Sequence, residues 1–183
     1  MPCVTREKKT IKNKAIQQII MEKHLNTVIA GSGCYLPPRV VKNDHFLSTE
    51  FYDTDGKRIE RTNEDIVEKF RELVGITERR YVEDGVNNSD MAAEAARRAI
   101  EAWGGDPETL DYVIVAHNYA DIPETTYCSE MVPSVSARVK HKLGIKNRHC
   151  IPYDMIFGCP GWVQGVILAH HLIQARLAHN VLV

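Results

Sequence analysis

Two short apolar runs, each followed by a stretch of helical period, constrain this chain more than any other feature. The first is Tyr112-Val113-Ile114-Val115-Ala116; the second covers residues 150–157. Both are too short for helices and read as strands of a sheet covered on its faces. After the first, a polar loop over residues 118–131 leads to a helix with Pro133 near its first turn. Val135, Val139 and Leu143 form its inner face and Gly144 its stop. After the second, a helix runs from Pro160 to about Ala178, with Val163, Val166, Ile167 and Ile173 inward. The closing Val181-Leu182-Val183 reads as the opening of another buried strand, so the chain is expected to be a fragment of a longer protein. Strands alternating with helices predict an α/β layered fold around a mixed, mostly parallel sheet.

Upstream the pattern is less regular. Thr27-Val28-Ile29-Ala30-Gly31 reads as a buried strand entering a tight loop through Ser32-Gly33 and Pro37-Pro38. Asn43-Asp44 caps a short helix over residues 46–51. Asp53-Thr54-Asp55-Gly56 is a turn without the first Asp and last Glu of a calcium loop. Thr62-Asn63 caps a helix over residues 64–74, with Ile66, Phe70 and Leu73 on one face and Gly75 as its end. Residues 76–82 alternate as a strand. Ser89 then caps a long helix with Ala92, Ala95, Ala96, Ala99, Ile100 and Trp103 on its apolar face. A stripe of alanines predicts close packing against a sheet.

Charge and cysteine usage exclude several classes. Lys and Arg number 23 against 24 for Asp and Glu, so the basic excess of a nucleic-acid binder is missing. No apolar run approaches the ~20 residues of a membrane span. Five cysteines, an odd number with no CxxC pair, argue against a disulfide framework and for a reducing, cytoplasmic setting. Residues 1–26 carry six Lys/Arg and two acidic residues, and the remainder 17 and 22. We therefore divide the chain into a basic N-terminal extension, 1–26, and a folded unit, 27–183. The extension has no apolar core of a secretory signal and receives no function.

The chemistry concentrates at Asp154-Met155-Ile156-Phe157-Gly158-Cys159-Pro160-Gly161-Trp162. This spacing puts Cys159 where a strand hands over to a helix. Free N–H groups of a first helical turn face such a position, and the helix dipole favours a thiolate there. The same amides suit an oxyanion formed when a thioester carbonyl is attacked. A small buried core cysteine is the plain alternative. A hydrolase nucleophile elbow fits worse, because it needs glycine two positions before the nucleophile, where Phe157 stands. No histidine pair has metal-ligand spacing, and no metal is expected. His117, just beyond the first strand, is the best placed of the eight histidines for a catalytic role.

Asp154, four mostly small residues, Cys159, any residue, Gly161 and an aromatic, Trp162, resemble the active-site motif of β-ketoacyl-acyl-carrier-protein synthase III, a thiolase-like condensing enzyme. Residues 28–37 resemble that family's opening strand and loop. Gly75-Ile76-Thr77-Glu78-Arg79-Arg80 resembles its "GI-x-ER" segment, and Leu143-Gly144-Ile145-Lys146 its "LGI" stretch. The resemblance implies a thiolase-like layered fold of two similar halves, this chain being the first. It also implies a homodimer, substrates delivered as acyl-CoA or on acyl-carrier protein, and no further cofactor. Cys159 would be the nucleophile, and Phe157 and Trp162 would line the substrate pocket. Val132 falls where relatives with short-chain preference carry a large aromatic, so a primer bulkier than acetyl is expected. The family's Trp and Arg associated with CoA fall at Lys69 and Leu73, which departs from a standard CoA grip.

Two functions follow. On the first, which the resemblance implies, the chain would be the nucleophile-bearing part of a ketoacyl synthase, acylated on Cys159 and condensing with malonyl carrier protein in fatty acid or related biosynthesis. The alternative is a catalytically inactive half-molecule acting as an interaction subunit, since the family's His and Asn for decarboxylation belong to its second half.

Overall fold

The computed structural model describes residues 26–183; the expected extension lies, but for Asn26, outside the described residues. In chain order the elements are β1 (Arg39–Lys42), α1 (Asn63–Val74), β2 (Glu78–Tyr81), α2 (Asn88–Trp103), β3 (Tyr112–His117), α3 (Val135–Lys142), β4 (Ile151–Ile156), α4 (Gly161–Gln174) and β5 (Val181–Leu182). Short 3-10 segments cover Asn43–Ser48 and Pro107–Thr109. β3 is central in a parallel sheet of order β4-β3-β5, with Val115 opposite Asp154 and His117 opposite Ile156. β1 and β2 form a separate antiparallel pair, Val40 opposite Arg80.

Side-chain alternation along β3 sorts the layers. Val113 packs in one cluster with Ala93 and Ala96 of α2 and Val135 and Val139 of α3. Ile114 and Ala116 point to the other face, against α4. The expected helix-flanked parallel sheet is thus present, and the antiparallel strands stand apart from it.

Local chemistry accounts for most boundaries. Thr62 Oγ1 accepts the Asp65 N–H at 3.2 Å, and Gly75 ends α1 in the left-handed region at φ 68°. Ser134 caps α3 through the Ala137 N–H. α2 departs from expectation. Its cap is Asn87, paired with Asp90 in a capping box, while Ser89 is buried inside the first turn.

Several expectations need correcting. Residues 27–31 form no strand, and Val28 and Ile29 are exposed. The glycines explain the path: Cβ atoms on Gly31 and Gly33 would lie 2.4–2.6 Å from main-chain atoms of Ala95, Ala99 and Trp103. The segment lies directly on the α2 backbone, so the alanines of α2 meet a glycine-bearing loop as well as the sheet. The short helix expected over residues 46–51 is a 3-10 segment three residues earlier, and β1 was not legible at all. In α1 only Ile66 is buried; Phe70 and Leu73 are exposed.

The inner face of α4 is also different. Gly161, Gly165 and Ala169, four residues apart, are buried, while Val163 and Ile167 are exposed. A Cβ on Gly165 would sit 2.6 Å from Val183 Cγ1 and 3.6 Å from Ile114 Cγ2. The small ridge wins because it brings the helix backbone onto the sheet, and branched side chains there would hold it off.

Candidate active site

Cys159 sits in a tight turn between β4 and α4. The Gly161 N–H donates to the Gly158 carbonyl at 2.9 Å, closing the turn around Cys159 and Pro160. Pro160 is the N-cap of α4, with φ −84° and ψ 13°, one position earlier than the first-turn place expected for it. Its missing N–H is harmless there, because the first amides of a helix lack carbonyl partners anyway. The thiol is exposed, so the small-core-cysteine alternative fits Cys150, not Cys159. Burial pushes the Cys150 thiol pKa up, making it the poorer nucleophile.

Just upstream, the Phe157 N–H donates to the His117 carbonyl at 3.1 Å and so continues the β3–β4 ladder toward the cysteine. Phe157 and Trp162 flank Cys159 in the chain, and both are exposed. Val132 is 88% exposed and precedes the cis Pro133 at the start of α3. Val132 and Cys159 therefore belong to loops at the same carboxyl edge of the sheet, one on the α3 side and one on the α4 side. Ligands of open α/β sheets occupy this edge.

The interior beneath this edge is polar and fully paired. Asp154 Oδ2 accepts from the Val135 N–H and from His117 Nε2, both at 2.9 Å, and Oδ1 accepts the Ser136 N–H at 2.7 Å. Burial opposes ionisation of Asp154. The donors from Ser136, His117 and Val135 outweigh it, and the carboxyl is held below the usual carboxylate range. The first turn of α3 thus starts on a carboxylate, which its dipole favours. His117 is 6% exposed, and its Nδ1 accepts the Ala120 N–H at 3.0 Å. That bond puts the ring proton on Nε2, where it is donated to Asp154. Both nitrogens are thereby occupied, and the ring is not free for the catalytic role weighed from sequence.

The loop over residues 118–131 is held at both ends. Asp121 accepts the Ser89 N–H and Oγ–H at 2.7 Å and Arg138 Nη1 at 3.1 Å. Arg138 also binds Glu130 and the Pro133 carbonyl, and the Glu130 N–H donates to the Asp121 carbonyl. Sequence reasoning passed over Asp121 and Arg138, since a lone Asp in a polar loop carries no visible signal. His117 and Asp154 were each noticed, but not as a pair. The register joins them, because Val115 stands opposite Asp154 and His117 is two residues on, on the same face. Among the described residues no group of three or more His, Cys, Asp or Glu could hold a metal ion, and no helix is long and apolar enough to cross a membrane.

No protein-family model matches the chain. A curated relative, β-ketoacyl-[acyl-carrier-protein] synthase III of Staphylococcus aureus (strain Newman), is 30% identical over 159 residues, covering 87% of this chain and 44% of the relative. The solved structure of β-ketoacyl-[acyl carrier protein] synthase III from Thermus thermophilus superposes with a TM-score of 0.63 at 29% identity. It covers 85% of this chain and 41% of that one. This chain is similar to the β-ketoacyl-[acyl-carrier-protein] synthases III over most of its own length. Its fold is thiolase-like. A 3-oxoacyl-(acyl-carrier protein) synthase from Burkholderia xenovorans adds support for the fold alone, with a TM-score of 0.65 at 23% identity, over 84% of this chain and 38% of that one. The chain spans less than half the length of these relatives of synthase III.

Proposed function

We propose that this chain carries the acyl-accepting cysteine of a synthase III-like condensing enzyme. The observation behind the reading is the exposed Cys159 on a closed turn at the N-terminus of α4, in the Asp154–Trp162 segment that resembles the active-site motif of synthase III. In the first step the Cys159 thiolate attacks the carbonyl of an acyl thioester, either acyl-CoA or acyl-carrier protein. The tetrahedral intermediate collapses with cleavage of the old C–S bond. The departing thiolate takes up a proton, and an acyl–S–Cys159 bond remains. Amides at the α4 N-terminus are suited to hold the transient oxyanion. In the second step decarboxylation of a malonyl carrier protein releases CO2 and leaves a carbanion, which attacks the acyl carbonyl; the C–S bond to Cys159 breaks and the thiolate is regenerated. Covalent catalysis divides a hard C–C bond formation into two easier steps. No metal or other cofactor enters either step.

Val132, Phe157 and Trp162 are assigned to the primer pocket. Valine at position 132 leaves room that a large aromatic would fill, so the pocket takes a primer longer than acetyl. Each buried methylene contributes roughly 0.8 kcal/mol, and three extra carbons are enough for more than a tenfold preference. Homodimerisation accompanies this reading: Ile151, Tyr153 and Ile156 of the edge strand β4, with Val163 and Ile167 of α4, expose apolar surface of the kind that interfaces cover.

Intact-mass measurement after incubation with acyl thioesters of increasing length tests the proposal. We expect one acyl adduct that maps to Cys159, is absent from Cys159→Ala, and forms faster with longer primers; Val132→Phe shifts the preference to shorter ones. An adduct that persists in Cys159→Ala would remove Cys159 from the role.

A further inference from the structure

We infer that the buried His117–Asp154 pair is a positioning device for Cys159, acting from the opposite face of the sheet. The inference rests on the assignment of Cys159 as nucleophile. It adds two residues that touch neither the thiol nor a substrate.

The pair gathers the elements that converge below Cys159. Asp154 belongs to the last half of β4 and holds the first two amides of α3. His117 is the last residue of β3; its ring spans Asp154 and the Ala120 N–H, while its carbonyl takes the Phe157 N–H, two residues before Cys159. One residue therefore fixes the end of β3, the start of the 118–131 loop and the last ladder bond before the cysteine turn. On the other face Gly161 lies against Ala116, the neighbour of His117 in β3. A displacement of the β3 end is thus passed to both sides of the turn: to Phe157 through a hydrogen bond and to Gly161 through contact. Nothing else among the described residues competes for the ring nitrogens, which makes the arrangement single-valued.

The direction of each bond supplies the test. In His117→Gln the side-chain amide can still donate to Asp154 but loses the acceptor for Ala120. In His117→Asn the shorter side chain can accept from Ala120 but does not reach Asp154. Both are polar, and both lose one bond, so a merely structural role would move them alike. The readout is the rate of iodoacetamide alkylation of each cysteine in the full chain, followed by peptide mass spectrometry. Exposed Cys128 serves as the internal reference and buried Cys150 as the reporter of core opening.

We expect parent Cys159 to react faster than Cys128. His117→Gln should stay within about threefold of the parent, and His117→Asn should be slower at Cys159 by about tenfold with Cys128 unchanged. Equal slowing of the two variants, or none in His117→Asn with Cys150 still protected, overturns the positioning role. If His117→Asn opens the core and Cys150 becomes labelled, His117→Gln decides alone. Retention of the fast Cys159 rate supports the pair, and a tenfold loss with Cys150 protected rejects it. Failure of the nucleophile assignment looks different, because parent Cys159 would then react no faster than Cys128.

Discussion

Residues 88–183 bury Ala93, Ala96, Leu110, Val113, Ile114, Val135, Val139 and Ala169, whereas residues 39–81 bury only Val41 and Ile66 among their apolar side chains. Their carboxylates differ in the same way. Asp121 and Asp154 each collect three donors in the interior below the carboxyl edge. Glu50, Glu68 and Glu72 instead pair with Arg58, Arg71 and Lys69 on exposed surface. Asp121 and Asp154 fix where a loop starts and where a helix begins, whereas these three glutamates decorate a surface. The contrast makes different demands on substitution in the two regions.

The largest effect is expected for Asp154→Asn. Three N–H donors face the carboxylate, and an amide has one acceptor oxygen, so at least one donor meets another donor. His117 cannot relieve this by moving its proton, because Nδ1 already accepts from Ala120. Loss of a buried, charge-assisted set of this kind costs about 3 kcal/mol in a urea melt. The sign of the pH dependence follows from the depressed pKa. A carboxyl lower in the folded than in the unfolded state contributes stability above the unfolded value, about 3.9, and loses it as pH falls through the folded value. The parent should therefore lose stability below about pH 4 more steeply than Asp154→Asn. Parallel acid limbs would mean that Asp154 carries no such linkage.

A glycine pair sharpens the comparison at intermediate size. Gly33 has backbone of Ala95 and Ala99 within 2.4 Å of where a Cβ would be, while Gly56 at φ 74° has open space around it. Gly33→Ala forces α2 and the loop apart and should destabilise by about 2 kcal/mol. Gly56→Ala meets only the left-handed backbone penalty of about 1 kcal/mol. If thermal melts rank the two the other way, residues 26–37 are not packed on α2 in solution.

The same contrast explains what the sequence made legible. The parallel sheet, its helices and the Cys159 junction followed from short apolar runs, caps and glycine stops, all local signals. The cap of α2 was misplaced because Asn87, Asn88 and Ser89 are all good cap residues, and only tertiary pairing with Asp121 takes Ser89 inside. The α4 face was misread because hydrophobicity favours Val163 and Ile167, whereas close approach to β3 favours Gly161 and Gly165. Val28 and Ile29 failed likewise: an apolar run shows what would bury well, not whether a partner strand lies within reach. The His117–Asp154 pair needed the register, which no local pattern encodes.

The smallest effect is expected for Glu68→Gln, and it tests whether a perturbed pKa alone marks importance. The hydrogen bond from Arg71 lowers the Glu68 carboxyl, much as donors lower that of Asp154. By sign alone, any contribution would be present above the unfolded value of about 4.3 and lost as pH falls through the folded one. The surroundings differ, because Glu68 and Arg71 are one turn apart on an exposed face of α1 where water and salt screen them. Holding two long side chains in one geometry also costs rotamer freedom, which offsets most of the remaining attraction. Melts of Glu68→Gln and the parent should coincide at neutral pH, in acid and at high salt. A drop at neutral pH that vanishes in acid or in salt would show the α1 pair to be coupled to folding, and the division between the two regions would then fail at its weakest member.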